Sequence, residues 1–152
     1  MIKWPGVIKP KSIENEMVQN LDFAQTLLEA AQIPPPSDMQ GESLIPLLKG
    51  EKGQWTRDAV YYHYYEYPAV HMVKRHYGIV NKQYKLVHFY HDVDEWELYD
   101  REKDPYEMKN EYHNPEYTPI VKTLTKDLYA LRKKYKDSLA LDQKFIDMYE
   151  LK

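Results

Sequence analysis

The sequence predicts an α+β fold: a four-stranded antiparallel sheet with a C-terminal helix packed on it, preceded by a helix and a linker. Three observations carry that expectation. Segments at about 59–67, 70–80, 84–91 and 95–99 are rich in Val, Tyr and Phe and are separated by breaks as short as Asn81-Lys82-Gln83. Links that short join antiparallel neighbours. Downstream, Ile120, Val121, Leu124, Leu128, Leu131 and Tyr135 recur at helical spacing. Upstream, an apolar helical run at about 23–32 is closed by Pro34-Pro35-Pro36.

Taken in order, Trp4-Pro5-Gly6-Val7-Ile8-Lys9-Pro10 places two prolines within six residues and reads as a strand end or loop. Asp22 as N-cap with Gln25 three residues on is a capping-box signal for a helix over Phe23 to Gln32. Its apolar residues Phe23, Ala24, Leu27, Leu28, Ala30 and Ala31 occupy more than one stripe, so the helix is expected to need a cover from elsewhere. Gly41 to Gly50 reads as a connector with one helical turn, Gly50 ending it. Asp100 to Tyr112 is polar, and Asn114-Pro115 then supplies an N-cap and a proline at the first helical position. The helix that follows should put its apolar stripe on the sheet and leave Lys122, Lys126, Arg132 and Lys133 in water. Phe145, Ile146 and Met148 mark a further short helix in the tail 139–152.

Composition narrows the function. The chain has 152 residues, 43% of them hydrophobic, enough for one packed domain of ordinary size. Twenty-one basic and 24 acidic residues give a formal charge of -3, which is no footprint for nucleic acid. Cysteine is absent, so disulfides, thiolate metal sites and a cysteine nucleophile are excluded. No apolar segment reaches the roughly 20 residues of a membrane span, and Met1 to Gly6 has no signal-like apolar core. Fifteen tyrosines are the outlier; each joins an apolar ring to a hydroxyl that can face a wet cleft or a sugar.

The chemistry concentrates between Val60 and Asp104. A sulfate or similar anion needs cationic or strong donor groups, and sugar hydroxyls need neutral partners with an aromatic face for the ring. His71, Lys74, Arg75 and His76 supply the first kind, Tyr65 and Glu66 the second. A regular strand would put Lys74 and His76 on one face and Arg75 on the other, so the four are not expected to share one site. His71 ranks first for ligand contact, followed by His76, Glu66 and Arg75. The histidines at 63, 71, 76, 88 and 91 show neither His-x-His nor His-Glu-x-x-His spacing, so no metal site is expected from them. No serine sits in a Gly-x-Ser-x-Gly elbow, and Asp92, Asp94, Glu95 and Glu97 lack the glycine and glutamate of a calcium loop.

Three blocks, Trp4–Pro10, Asn20–Ala31 and Gln40–Gly50, followed by Glu97-Leu98-Tyr99-Asp100, Lys103-Asp104-Pro105 and Asn110, resemble in order and spacing the late part of type I, formylglycine-dependent sulfatases. The resemblance covers about residues 3–136. It implies a larger alkaline-phosphatase-like fold, of which 1–50 would be the tail end of the catalytic domain, 51–138 the C-terminal subdomain and 139–152 a tail. His63-Tyr64-Tyr65-Glu66-Tyr67-Pro68 with His71 and Arg75-His76-Tyr77-Gly78 is most similar to the N-acetylglucosamine-6-sulfatase-like branch, which acts on glycosaminoglycan or mucin sugars.

The same resemblance implies calcium and formylglycine as cofactors of the full-length family member. It further implies a periplasmic, secreted or lysosomal setting, a sulfated saccharide substrate, and a catalytic domain on the N-terminal side as partner, without nucleic acid or membrane. The family's Cys/Ser-x-Pro-x-Arg motif is not found: Ser12, Ser37, Ser43 and Ser138 all lack the Pro and Arg that should follow. No catalytic residue and no metal ligand is therefore assigned to this chain, and its expected role is substrate recognition. The other expectation is a stand-alone, non-catalytic carbohydrate- or protein-interaction module.

Overall fold

The structure, a computed structural model, describes residues 1–150. The chain forms two compact units, Met1–Asp58 and Ala59–Lys152.

In the first unit, α1 spans Asp22–Ala30 and α2 spans Ile45–Leu48. The predicted capping box does not form. Leu21 occupies the N-cap position with no side-chain cap, and Asp22 is the first helical residue. Its carboxylate is taken by stronger partners: the Arg57 guanidinium (2.5 and 2.8 Å) and the backbone N–H groups of Gln19 (2.6 Å) and Glu42 (2.9 Å). Burial opposes ionisation of Asp22, but these donors outweigh it and hold the carboxyl below its usual range. Thr26 carries the tie onward, its hydroxyl donating to the Asp22 carbonyl and accepting from the Leu44 N–H. Gly41 is required in this arrangement because a Cβ would strike the Leu21 carbonyl.

Both helices end in the same motif. The N–H groups of Gln32 and Ile33 close on the carbonyls of Glu29 and Leu28, and those of Gly50 and Glu51 on Leu47 and Pro46. Gly50 takes the left-handed conformation foreseen for it, whereas at the end of α1 a glutamine does so, two residues before the prolines. Leu44, Ile45 and Leu47 are buried, while Leu21, Phe23 and Leu27 of the α1 segment are 45%, 48% and 71% exposed.

The second unit is a four-stranded antiparallel meander, β1 (Ala59–Tyr64), β2 (His76–Asn81), β3 (Tyr84–Phe89) and β4 (Glu95–Asp100), in the order β1-β2-β3-β4. Asn81 turns β2 into β3 by accepting from the N–H groups of Gln83 and Tyr84. The register sorts residues cleanly by face. Pairs Tyr61↔Ile79, Ile79↔Leu86 and Leu86↔Leu98 line one side. Ile79, Leu86 and Leu98 are fully buried there with Leu124 and Leu128 of α3 (Thr118–Lys134). Tyr62↔Gly78, Tyr64↔His76 and His76↔Phe89 line the other side.

Asn114 caps a short 3-10 turn, Pro115–Tyr117, that leads into α3. The tail forms α4, Leu139–Glu150, started by the Ser138 hydroxyl and carbonyl and buried through Asp142 and Ile146. Residues 151–152 of the expected tail lie outside the described residues.

Two expectations are corrected. β1 stops at Tyr64 rather than 67, and β2 begins at His76 rather than 70. Between them the chain forms a loop, with turns closed by Tyr67 N–H on Tyr65 and Met72 N–H on Ala69, and pinned when Arg75 donates to the Tyr67 carbonyl. Arg132, expected in water, is buried, because α4 folds back and supplies the Asp142 carboxylate, which helical periodicity alone does not reveal. Among the described residues no helix is long and apolar enough to cross a membrane.

Candidate functional site

The loop between β1 and β2 carries most of the candidate ligand residues. Tyr65 leaves β1 half-buried, its ring stacked 3.7 Å from His63 on one side and 4.3 Å from Phe145 of α4 on the other. Burial, then the nearby Asp137 charge, pushes its hydroxyl up to about 12, so it stays a neutral donor and acceptor at physiological pH. Glu66 is exposed, with Tyr149 of α4 beside it. His71 is exposed near the loop's tip, next to exposed Val70 and Met72. Lys74 lies 3.8 Å over the Tyr67 ring and donates to the Tyr67 hydroxyl.

The remaining two candidates are placed differently. Arg75 is fully buried and holds the base of the loop, paired with Asp92 at 3.2 Å and Glu150 at 3.5 Å. Its cation is consumed by structure. His76 is half-buried on the sheet face opposite α3, between Tyr64 and Phe89, with Nδ1 against the Lys74 carbonyl at 2.8 Å. Burial lowers its pKa, against the opposing effect of that carbonyl, which favours a neutral ring. The strand alternation expected of Lys74 and Arg75 does not apply, since both precede β2. The loop thus exposes Glu66 and His71, leaves Tyr65 and Lys74 half-buried against neighbouring rings, directs Arg75 inward and leaves His76 on the sheet.

Beneath the loop lies a network that sequence reasoning passed over. His63 Nδ1 meets Asp137 at 2.7 Å and its Nε2 meets the Tyr90 hydroxyl at 2.8 Å. Tyr61 donates to the same Asp137 carboxylate, and Arg132 joins Asp137 (3.4 Å) to Asp142 (2.9 Å) while lying 3.9 Å over the Tyr77 ring. Burial works against the Asp137 charge, yet the His63 and Tyr61 hydrogen bonds hold its carboxyl at about 2. The only sequence signal was the alternation of Tyr61 and His63 with the core side of β1; their acidic partners come from the α3–α4 junction more than 70 residues away.

Two groups, His63 with Asp137 and Asp142, and His91 with Asp92 and Glu150, bring possible metal-ligand atoms within 4.8 Å of one another. In each a guanidinium already binds the carboxylates, Arg132 in the first and Arg75 in the second. A divalent ion would have to displace a buried cation, so neither group suits calcium. With no cysteine and no serine in the required motif, formylglycine has no precursor here either.

A profile of the family described as N-sulphoglucosamine sulphohydrolase, C-terminal, matches residues 1–134. The chain belongs to this sulfatase family. Among relatives, an N-acetylglucosamine-6-O-sulfatase of Bacteroides thetaiotaomicron is 48% identical over 141 residues, covering 91% of this chain and 25% of the relative. A Delta 4,5-hexuronate-2-O-sulfatase of the same organism is 34% identical, covering 77% of this chain and 24% of its own length. A solved structure in complex with its substrate D-glucosamine-2-N,6-O-disulfate is 51% identical, with a TM-score of 0.74 over 78% of this chain and 24% of that one. The chain spans about a quarter of the length of these sulfatases, and its sheet and helix are the C-terminal part of the family's larger fold.

Proposed function

We propose that this chain is the substrate-recognition portion of a sulfatase that hydrolyses 6-O-sulfate esters of glucosamine-type sugars, chemistry being supplied by a catalytic domain on its N-terminal side. The observation that carries the reading is the 48% identity to an N-acetylglucosamine-6-O-sulfatase across nearly the whole chain. The loop geometry supports it. His71 and Lys74 offer donors suited to sulfate oxygens, Glu66 accepts from sugar hydroxyls, and Tyr65, on the same loop, is packed against His63 and Phe145. Arg75 serves by fixing the loop rather than by touching sugar.

In the full-length enzyme, calcium and formylglycine would be held by residues outside this chain, and the family's periplasmic, secreted or lysosomal setting would apply. A chimera tests the reading. This chain would replace the matching quarter of the Bacteroides thetaiotaomicron N-acetylglucosamine-6-O-sulfatase, and desulfation of N-acetylglucosamine-6-sulfate would be measured. Retained 6-O-sulfate preference is expected. A folded chimera that turns over an aryl sulfate but no longer prefers the 6-O-sulfated sugar would overturn the assignment.

A further inference from the structure

We propose that the outer ridge of α3 is a docking site for a linear sulfated polysaccharide, separate from the β1–β2 loop. Lys122, Lys126 and Lys133 are all exposed. At 100° per residue they fall within about 40° of one another, and at 1.5 Å per residue they extend over about 17 Å. Tyr129, half exposed, flanks the same ridge between Lys126 and Lys133, its hydroxyl anchored to Tyr77. Its ring offers the apolar surface on which a sugar can lie.

None of the three lysines has an ion-pair or hydrogen-bond partner among the described residues. Ordinary helix electrostatics explain only one of them. Lys133 lies in the last turn, where a cation complements the helix dipole, but Lys122 and Lys126 do not. Lys122 and Lys126 are instead a like-charge pair at i,i+4, which repels. The positions three and four residues away from Lys126 on the C-terminal side are Tyr129 and Ala130, so no acid is offered there. The ridge is also not an echo of a basic protein, since the whole chain carries a formal charge of -3.

A row of unpaired cations with an interposed ring matches a polymer with repeating anionic groups and sugar faces. It spans several sugar units, whereas a single sulfated monosaccharide would meet one lysine. Overall negative charge argues against a nucleic-acid duplex, which rewards a broad basic surface. The identification of the polymer as a saccharide rests on the sulfatase reading above. Holding a polymer on α3 would keep its ends at high local concentration near the enzyme.

The test measures heparin binding to this 152-residue chain by fluorescence titration at about 50 mM salt, independently of any desulfation assay. The parent should bind, and binding should weaken as salt rises. K122E/K126E/K133E should bind roughly 100-fold more weakly, about fivefold per lysine. K122R/K126R/K133R should bind like the parent. Three reversals in the first unit, K9E/K11E/K49E, make the same change in net charge and should leave affinity close to the parent's. Circular dichroism checks that α3 persists in each variant. Undiminished binding of the folded ridge variant, equal loss in the first-unit control, no parent binding at low salt, or equal affinity for duplex DNA would each overturn the proposal. Failure of the chimera with heparin binding still lost in the ridge variant would fault the sulfatase reading alone.

Discussion

Arg132 near the end of α3 donates from Nη2 to both carboxylate oxygens of Asp142 on α4, at 3.0 and 2.9 Å, with both side chains almost fully buried. This pair ties the last helix to α3, and the same guanidinium also meets Asp137 at 3.4 Å and lies over the Tyr77 ring. Removing one partner leaves buried charge uncompensated. Arg132→Met should therefore cost about 3–5 kcal/mol in urea unfolding at neutral pH. The double variant Arg132→Met, Asp142→Leu should recover part of that loss, and a single variant within 1 kcal/mol of the parent (on the order of a surface change) would contradict the account.

Asp137 gives a pH signature. Its folded pKa, about 2, lies below the ordinary 3.8, so its stabilisation is present above pH 3.8 and is lost as pH falls through about 2. The shift corresponds to about 2 kcal/mol at neutral pH. Unfolding free energies measured between pH 5 and 2 should fall more steeply for the parent than for Asp137→Asn. Parallel curves would show that Asp137 is not held ionised.

Much of this fold was legible because it follows local rules. Asn114-Pro115 starts a helix, Gly50 ends one, and the Tyr and Val alternation from residue 59 sorts into two sheet faces as period 2 requires. The misreadings share one cause. Asp22, Arg75 and Arg132 each follow a partner distant in sequence: Arg57 is 35 residues from Asp22, Asp92 is 17 from Arg75, and Asp142 is 10 from Arg132. A buried ion pair overrides a cap, an alternation or a solvent-facing stripe, and no local pattern announces its partner. Glu66 and His71 are exposed, since no such partner draws them into the core, whereas Lys74 is half-buried against Tyr67.

Gly41 tests the first unit by itself. Gly41→Ala would drive a methyl into the Leu21 carbonyl, with Gln25 Oε1 also within 2.7 Å. The backbone must move, and a loss of about 2 kcal/mol or more is expected in the thermal unfolding of this unit. Gly53→Ala meets nothing within 4 Å and should be near neutral. Equal effects from the two variants would refute the close-approach argument.

Exposed Phe23 and Leu27, one turn apart on α1, form an apolar surface larger than single scattered side chains explain. The chain by itself should bind a hydrophobic dye or self-associate, and Phe23→Glu with Leu27→Glu should suppress both. Light scattering that shows a monomer, together with no dye response in the parent, would mean that this surface is tolerated in water.

Within the chimera, the two histidines ranked first by sequence should now behave differently. His71 is exposed, so His71→Ala should reduce kcat/KM by the loss of a hydrogen bond to a charged or polar group, about 1–3 kcal/mol, with the thermal midpoint unchanged. His76 is packed between Tyr64 and Phe89, and its Nδ1 holds the Lys74 carbonyl, so His76→Ala should lower the midpoint as well as disturb Lys74. Lys82→Ala in the β2–β3 turn serves as the control and should match the parent in both quantities. Measuring kcat/KM and the midpoint for all three separates ligand contact from support. If His71→Ala matches Lys82→Ala in kcat/KM, the β1–β2 loop does not touch the substrate through its tip, and recognition must rest on Tyr65, Glu66 or Lys74.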